Sequence, residues 1–348
     1  MGVSPDARDA WMADARGTSR RSTLTQGENV VTISISVEGA SGTTWERLAI
    51  ITELMEASSL HRLFVSDHLV GPIPPDFPNV EALMSLAYVA NRTSRVGFGT
   101  QVAPLTLRDP VLLVRQATAL HQLSGGRMVL GVGAGWNERE HTMFGYPFGT
   151  ARDRARRLDE GLTVMRGLLR GEGQFSFDGK VFHVADALLS DAGIPGSLPI
   201  LVGGGHRTLI LPLVAKHADI WGAQMLSPEE FADRNALLDT LLVGAGRDPG
   251  TVPRVLLQGI LCGTEEQIAE MLRRVPIFPP DMAVAERRAF FETVWHYVVG
   301  TPEDVHARLM DYVRAGVDEF VVQWFNFFGI EDRKQIGHEI AVLESLMT

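Results

Sequence analysis

Short runs rich in β-branched residues alternate along the chain with longer stretches of helical spacing. VVTISISV (30–37) predicts a first strand. Thr43 and Thr44 then open a helix near 45–59, with Leu48, Ile51 and Met55 on one face. RLFVSDH (62–68) predicts strand two, and the Pro-rich GPIPPDFPN after it predicts an irregular loop. A helix over 81–92, strand three over 95–102 and a helix over 111–123 follow, the last with Pro110 at its first position. Ser124, Gly125 and Gly126 close that helix, and RMVLGVG (127–133) is strand four. A long loop is expected to about Thr150, then a helix over 152–170.

QFSFDGKVFHV predicts a β-hairpin turning at Asp178 and Gly179. Strand five over 199–204, a helix over 206–216 and a short strand six over 219–223 come next. Ser227, Pro228, Glu229 and Glu230 start another helix with a cap and early acids. Strand seven over 255–263, a helical insertion over 265–297, a helix capped by Thr301, strand eight over 318–324 and a last helix over 332–347 complete the pattern. Strand followed by helix recurs eight times, and the strands read as short apolar runs buried on both faces. The fold class is therefore α/β: one (β/α)8 TIM barrel, with a hairpin inserted after helix four and a helical segment after strand seven. Residues 1–29 carry scattered charges and no apolar run. They are expected to form a flexible tail ahead of a barrel domain over 30–348, and not a secretory signal.

Composition narrows the chemistry. Of 348 residues, 32 are Lys or Arg and 42 Asp or Glu, a net charge of −10 that argues against nucleic acid as a partner. No apolar run is long enough to span a membrane. The single cysteine, Cys262, excludes a disulfide framework and a thiolate metal site, and with no signal segment points to the cytoplasm. The only lysines, Lys180, Lys216 and Lys334, lie away from predicted strand ends, which disfavours a Schiff-base aldolase. Only His68 and His206 among ten histidines lie near such ends, so no metal site is expected.

A TIM barrel carries its reactive groups at the C-terminal ends of its strands. These ends hold Glu38; Ser66, Asp67 and His68; Gln101 and Val102; Gly133, Ala134, Gly135 and Trp136; Gly203, Gly204, Gly205, His206 and Arg207; Gln224; and Trp324. GVGAG (131–135) is a poor dinucleotide fingerprint, because its third glycine is out of register. The glycine run 203–205 reads either as a plain turn or as an anion cradle of backbone amides at a helix start, with Arg207 adding charge. Asp67–His68 reads either as a structural pair or as a histidine acid or base oriented by Asp67. Trp136 and Trp324 are candidates to wall a planar ligand, whereas Trp45 and Trp295 read as core.

The segments VSDHL, SGGRMVLGVGAGWNE, LPILVGGGHRT and GTPEDVHARLMDYVRAG, in this order and spacing, resemble the luciferase-like monooxygenase superfamily. Within it they are most similar to the branch that uses the deazaflavin coenzyme F420. The resemblance implies a TIM barrel and hydride transfer between the deazaflavin C5 and a small organic substrate, with His68 and Asp67 catalytic. It implies that Gln101 and Val102, joined by a cis peptide, back the cofactor ring. Gly133, Ala134, Gly135 and Trp136 form the strand-four cofactor loop, and Gly203, Gly204, Gly205, His206 and Arg207 the phosphate segment. Glu38, Gln224 and Trp324 are candidates for the substrate side. A homodimer is expected. The alternatives are an FMN-dependent monooxygenase fed by a separate reductase, and a non-catalytic flavin-binding relative. The sugar-phosphate dehydrogenases of this branch carry Glu where Trp136 stands, which disfavours glucose 6-phosphate as substrate.

Overall fold

The computed structural model describes residues 31–171, 173–189, 198–324 and 330–347. The predicted tail over 1–29 lies outside them. Eight strands close into a parallel barrel: β1 (Ile33–Val37), β2 (Arg62–Val65), β3 (Gly97–Thr100), β5 (Met128–Gly133), β8 (Ile200–Gly203), β9 (Ile220–Gln224), β10 (Arg254–Cys262) and β12 (Glu319–Trp324), which pairs back onto β1. β4 (Ala103–Pro104) continues the β3 edge against β5. Each strand alternates its faces. Ile33, Ile35, Phe320 and Val322 point out under the helices. Phe64, Val129, Leu201, Ile220, Val255, Leu257 and Val321 form a separate cluster inside the barrel. That two-layer burial is the main stabilising term, about 1.5–3 kcal/mol per buried large apolar side chain.

The surrounding helices are α1 (Trp45–Ala57), α2 (Ala82–Arg92), α3 (Pro110–Leu123), α4 (Glu138–Phe144), α5 (Ala151–Leu169), α6 (Leu211–His217), α7 (Pro228–Gly244), α8 (Glu265–Arg274), α9 (Val284–Thr293), α10 (Pro302–Ala315) and α11 (Arg333–Ser345). Their starts follow the side chains read in the sequence. Thr44 caps α1, and Asp109 accepts from two amides at the start of α3. Capping boxes open α7 (Ser227 with Glu230) and α10 (Thr301 with Asp304). Each such cap is worth about 1 kcal/mol. Among the described residues no helix is long and apolar enough to cross a membrane.

Four local expectations are corrected. The loop expected before Thr150 contains α4, because Asn137 starts a helix with Glu138 and Glu140 in its first turn. The hairpin of β6 (Phe175–Asp178) and β7 (His183–Ala187) does not turn at Asp178–Gly179. Asp178 pairs with His183, and the Glu160 carboxylate gathers the amides of Lys180, Val181 and Phe182 into a longer loop. The helix expected from His206 starts only at Leu211, after a turn in which His206 Nδ1 accepts from the Thr208 and Leu209 amides. Trp45, read as core, is half exposed at the first position of α1.

The two ends of the barrel differ. At the N-terminal end Glu319 points inward, accepting from Ser34 Oγ at 2.5 Å and pairing with Arg62. At the C-terminal end the inward positions thin out to glycine: Gly131, Gly133, Gly203 and Gly259. The helical insertion lies beside this end. β11 (Val298–Gly300) adds parallel to β10, and α8 and α9 bury Ile268, Leu272 and Phe291 with Leu261 and Tyr297.

Candidate active site

β2 ends by delivering Ser66, Asp67 and His68 to the C-terminal mouth. Asp67 does not orient His68. Its carboxylate is held by Arg108, with Nε at 2.8 Å and Nη2 at 2.6 Å, and Arg108 also reaches Glu81 at 2.6 Å. This is the expected fate of a nearly buried carboxylate beside a planar guanidinium. His68 turns to another partner, Glu140 on α4. Its Nδ1 lies 3.1 and 3.2 Å from the two Glu140 oxygens, and the Leu69 amide donates to the same carboxylate at 2.9 Å. Glu140 has no exposed surface. Burial alone lowers the His68 pKa, but the hydrogen bond and charge of Glu140, helped by the charges of Glu38 and Asp67, outweigh it and hold His68 above its ordinary value of 6.5. Sequence reasoning missed Glu140 and Arg108. Asn137 followed by two early glutamates was the readable sign of α4.

Trp136 lies edge-on to His68, with ring centroids 5.5 Å apart and an interplanar angle of 79°. It is 54% exposed, so its indole stands at the rim of the mouth. Trp324 does not. It is buried under α11 with its indole N–H on Glu339 at 3.1 Å, and is corrected from pocket wall to core. Strand alternation explains this: Val321 faces in, so Gln323 does too, and Trp324 faces out. Gln224 ends β9 exposed. Glu38 follows β1 with its Oε1 accepting from Ser36 Oγ at 2.9 Å.

The Gln101–Val102 peptide is cis, as the resemblance implies. The Val102 side chain lies across β5 and β8, and glycine makes this possible. A Cβ on Gly133 would stand 2.7 Å from Val102 Cγ2, and one on Gly203 2.9 Å from Cγ1. Gly135 has φ +78 and packs on Thr106, while Ala134 precedes it half-buried. The run after β8 is engaged in part. The Gly204 amide donates to Gly222, its carbonyl accepts from the Trp221 indole at 2.8 Å, and the Gly205 carbonyl accepts from Arg234. Arg207 pairs with Asp233. With α6 starting only at Leu211, the helix-dipole part of the expected anion cradle is not met. The amides of Gly205, His206 and Arg207 are the remaining donors there.

A flavin-type ring needs a flat face and hydrogen-bonding partners along one edge. Ser66 Oγ, Gln101 Oε1 and Thr106 Oγ1 are buried without a hydrogen-bond partner among the described residues. All three follow the C-terminal ends of β2, β3 and β4. Buried polar atoms are normally paired, so this group is poised for an external partner, and the residues present fit such a ring. Among the described residues no group of three or more His, Cys, Asp or Glu could hold a metal ion.

A closed parallel barrel with a His paired to a buried Glu, and with polar atoms lacking a partner among the described residues, at its C-terminal mouth defines a ligand-binding (β/α)8 barrel of enzyme type. The chain belongs to the luciferase-like monooxygenase family, whose model matches residues 29–319. The first curated relatives it matches are uncharacterized mycobacterial proteins, 32% identical over 170 residues, and the match spans 57% of their length. An F420-dependent glucose-6-phosphate dehydrogenase of Kineococcus radiotolerans is 27% identical over 299 residues, 79% of this chain and 86% of that protein. An F420-dependent secondary alcohol dehydrogenase, solved with an F420–acetone adduct, superposes with TM-score 0.74 at 17% identity over 92% of this chain and all of that one. A type II Baeyer–Villiger monooxygenase from Pseudomonas putida, solved with FMN, superposes with TM-score 0.70 at 15% identity over 91% of this chain and 98% of that one. At such identities the solved structures show the shared fold.

Proposed function

We propose that this chain is a coenzyme F420-dependent oxidoreductase that transfers a hydride between the deazaflavin C5 and a small organic substrate, with His68 handling the proton. The observation that carries the reading is the His68–Glu140 pair at the mouth, with Trp136 edge-on to His68, at the same barrel end as Ser66 Oγ, Gln101 Oε1 and Thr106 Oγ1, which have no partner among the described residues. The names of relatives aligned over most of the chain support the same carrier. A bound deazaflavin supplies a two-electron carrier, and the protein supplies binding, orientation and proton traffic.

In this reading the Val102 side chain, seated on Gly133 and Gly203, backs the ring. Ser66 and Gln101 meet its polar edge. The amides of Gly205, His206 and Arg207 hold the tail phosphate, with Arg207 exchanging Asp233 for it. Nδ1 of His68 is committed to Glu140, so Nε2 faces the substrate and gives or takes its proton. Asp67 acts indirectly, fixed by Arg108. Glu38 and Gln224 border the substrate side. A homodimeric, cytoplasmic enzyme belongs to the same proposal, on the family resemblance and the single cysteine.

Equilibrium titration of the purified chain with F420 and with FMN tests the reading. F420 is expected to bind more tightly. Binding of FMN with none of F420 overturns it in favour of a flavin monooxygenase.

A further inference from the structure

One row of inward positions crosses the mouth from β1 to β10. Ser36 pairs in register with Gln323, and Gln323 with Gly259. Gly259 brings no side chain to this row, and Tyr297 of the helical insertion takes its place. A Cβ on Gly259 would stand 2.1 Å from Tyr297 Cε1 and 2.3 Å from Cζ, so the phenol ring fills that position. The insertion is built to deliver it. His296 takes φ +54, a conformation uncommon for residues other than glycine, and its carbonyl accepts from Gln258 Nε2 of β10. Phe291 and Trp295 pack on the ring at 4.9 and 5.8 Å between centroids. The Tyr297 hydroxyl donates to Gln323 Oε1, which fixes the carboxamide. On the far side of Gln323, Ser36 holds Glu38.

Charge sets this row apart from the rest of the mouth. Glu140 faces His68, and Asp67 faces Arg108. No ion pair of Glu38 is found among the described residues. A substrate lying between His68 and this row therefore meets a carboxylate that has no ion pair among the described residues and whose charge reaches His68, beside an amide. Like charges repel there, while an uncharged hydroxyl or carbonyl finds donors and acceptors.

We propose, resting on the oxidoreductase reading above, that Tyr297 is the positioning residue that sets substrate selectivity. Its ring bounds the pocket above Gly259, and by fixing Gln323 beside Glu38 it makes the site prefer an uncharged polar substrate to an anionic one. This separates the chain from a dehydrogenase of sugar phosphates.

The test uses size-matched probes, isopropanol against lactate and acetone against pyruvate, with cyclohexanol as a bulkier alcohol. Turnover is measured on full-length protein loaded with whichever carrier it binds, F420 or FMN. Probe binding is read in parallel by saturation-transfer NMR, with and without carrier. Failure to bind either carrier sinks the oxidoreductase reading, and the NMR arm still decides selectivity. The neutral probes should be favoured about tenfold or more, and Glu38→Gln should collapse that ratio. Tyr297→Phe keeps the ring and should raise KM for the neutral probes about tenfold with kcat and carrier affinity little changed. Tyr297→Ala should admit cyclohexanol. A merely structural tyrosine would instead lower kcat and carrier affinity together. The proposal is overturned if the carboxylated probes bind as well as the neutral ones, or if neither Tyr297→Phe nor Glu38→Gln shifts the preference.

Discussion

His68 on the β2 end and Glu140 on α4 meet across the mouth, with Nδ1 3.1 Å from Oε1, although 72 positions separate them in sequence. The carboxylate is fully buried, and among the described residues its only close cationic partner is an imidazole that must be protonated to neutralise it. The pair therefore couples the protonation of His68 to folding and, in the function proposed above, to turnover.

Replacing Glu140 with Gln should show this in two ways. His68 in the native protein holds its proton above the ordinary value of 6.5, so the pair's contribution to stability is fully present below that pH and is lost as the pH rises through the raised native value. The stability difference between wild type and Glu140→Gln, measured by urea unfolding, should shrink as the pH rises. The limb of the pH–rate profile that reports His68 should move to lower pH in the variant. An unmoved limb removes His68 from the proton transfer.

Arg108 is the second prediction. Its guanidinium grips the nearly buried Asp67 with two hydrogen bonds. Arg108→Met strands that carboxylate and should cost about 3 kcal/mol. Arg108→Lys should recover only part, since an ammonium cannot make the paired contact. The double variant Asp67→Asn with Arg108→Met should lie closer to wild type than Arg108→Met alone. Chemical denaturation of the set decides.

Gly133 should not tolerate a methyl group. Its Cβ would meet Val102 Cγ2 at 2.7 Å, and Gly133→Ala is expected to lose about 1–3 kcal/mol. Removing the obstacle with Val102→Ala should make the second substitution nearly neutral. Additive losses in the double-mutant cycle would place the strain elsewhere.

The barrel floor predicts acid sensitivity. Burial raises the pKa of Glu319, yet Arg62, His61 and Ser34 together bring it down to about 2 from 4.5. A depressed carboxylate stabilises the fold above its unfolded value and loses that contribution as the pH falls through its native value. Glu319→Gln should therefore be less stable than wild type by about 2–3 kcal/mol at neutral pH. The gap should close between about pH 4.5 and about pH 2 in thermal unfolding.

The order of strands and helices was legible because each element carries its own signal. β-branched runs, N-caps such as Thr44 and Ser227, and the period of two along β12 all act over a few neighbouring residues. Eight such units determine a barrel, and a barrel determines which ends of its strands carry chemistry. That logic places His68, Gln101, Gly133 and Gly203 at the mouth. It also contained the evidence against Trp324, whose place one step from inward-facing Gln323 turns it toward α11.

Pairing across the mouth was decided only by closure of the barrel. Periodicity says which face a side chain takes, but not which residue of another βα unit arrives opposite it. Asp67 next to His68 in sequence meets Arg108 instead, because consecutive residues past a strand end point in different directions. Glu140 and Tyr297 come from α4 and from the inserted segment, and their neighbours His68 and Gly259 lie far away along the chain. Local interactions thus determine the scaffold from sequence alone. The electrostatics of the site depend on contacts between distant segments, which only the packed tertiary structure brings together.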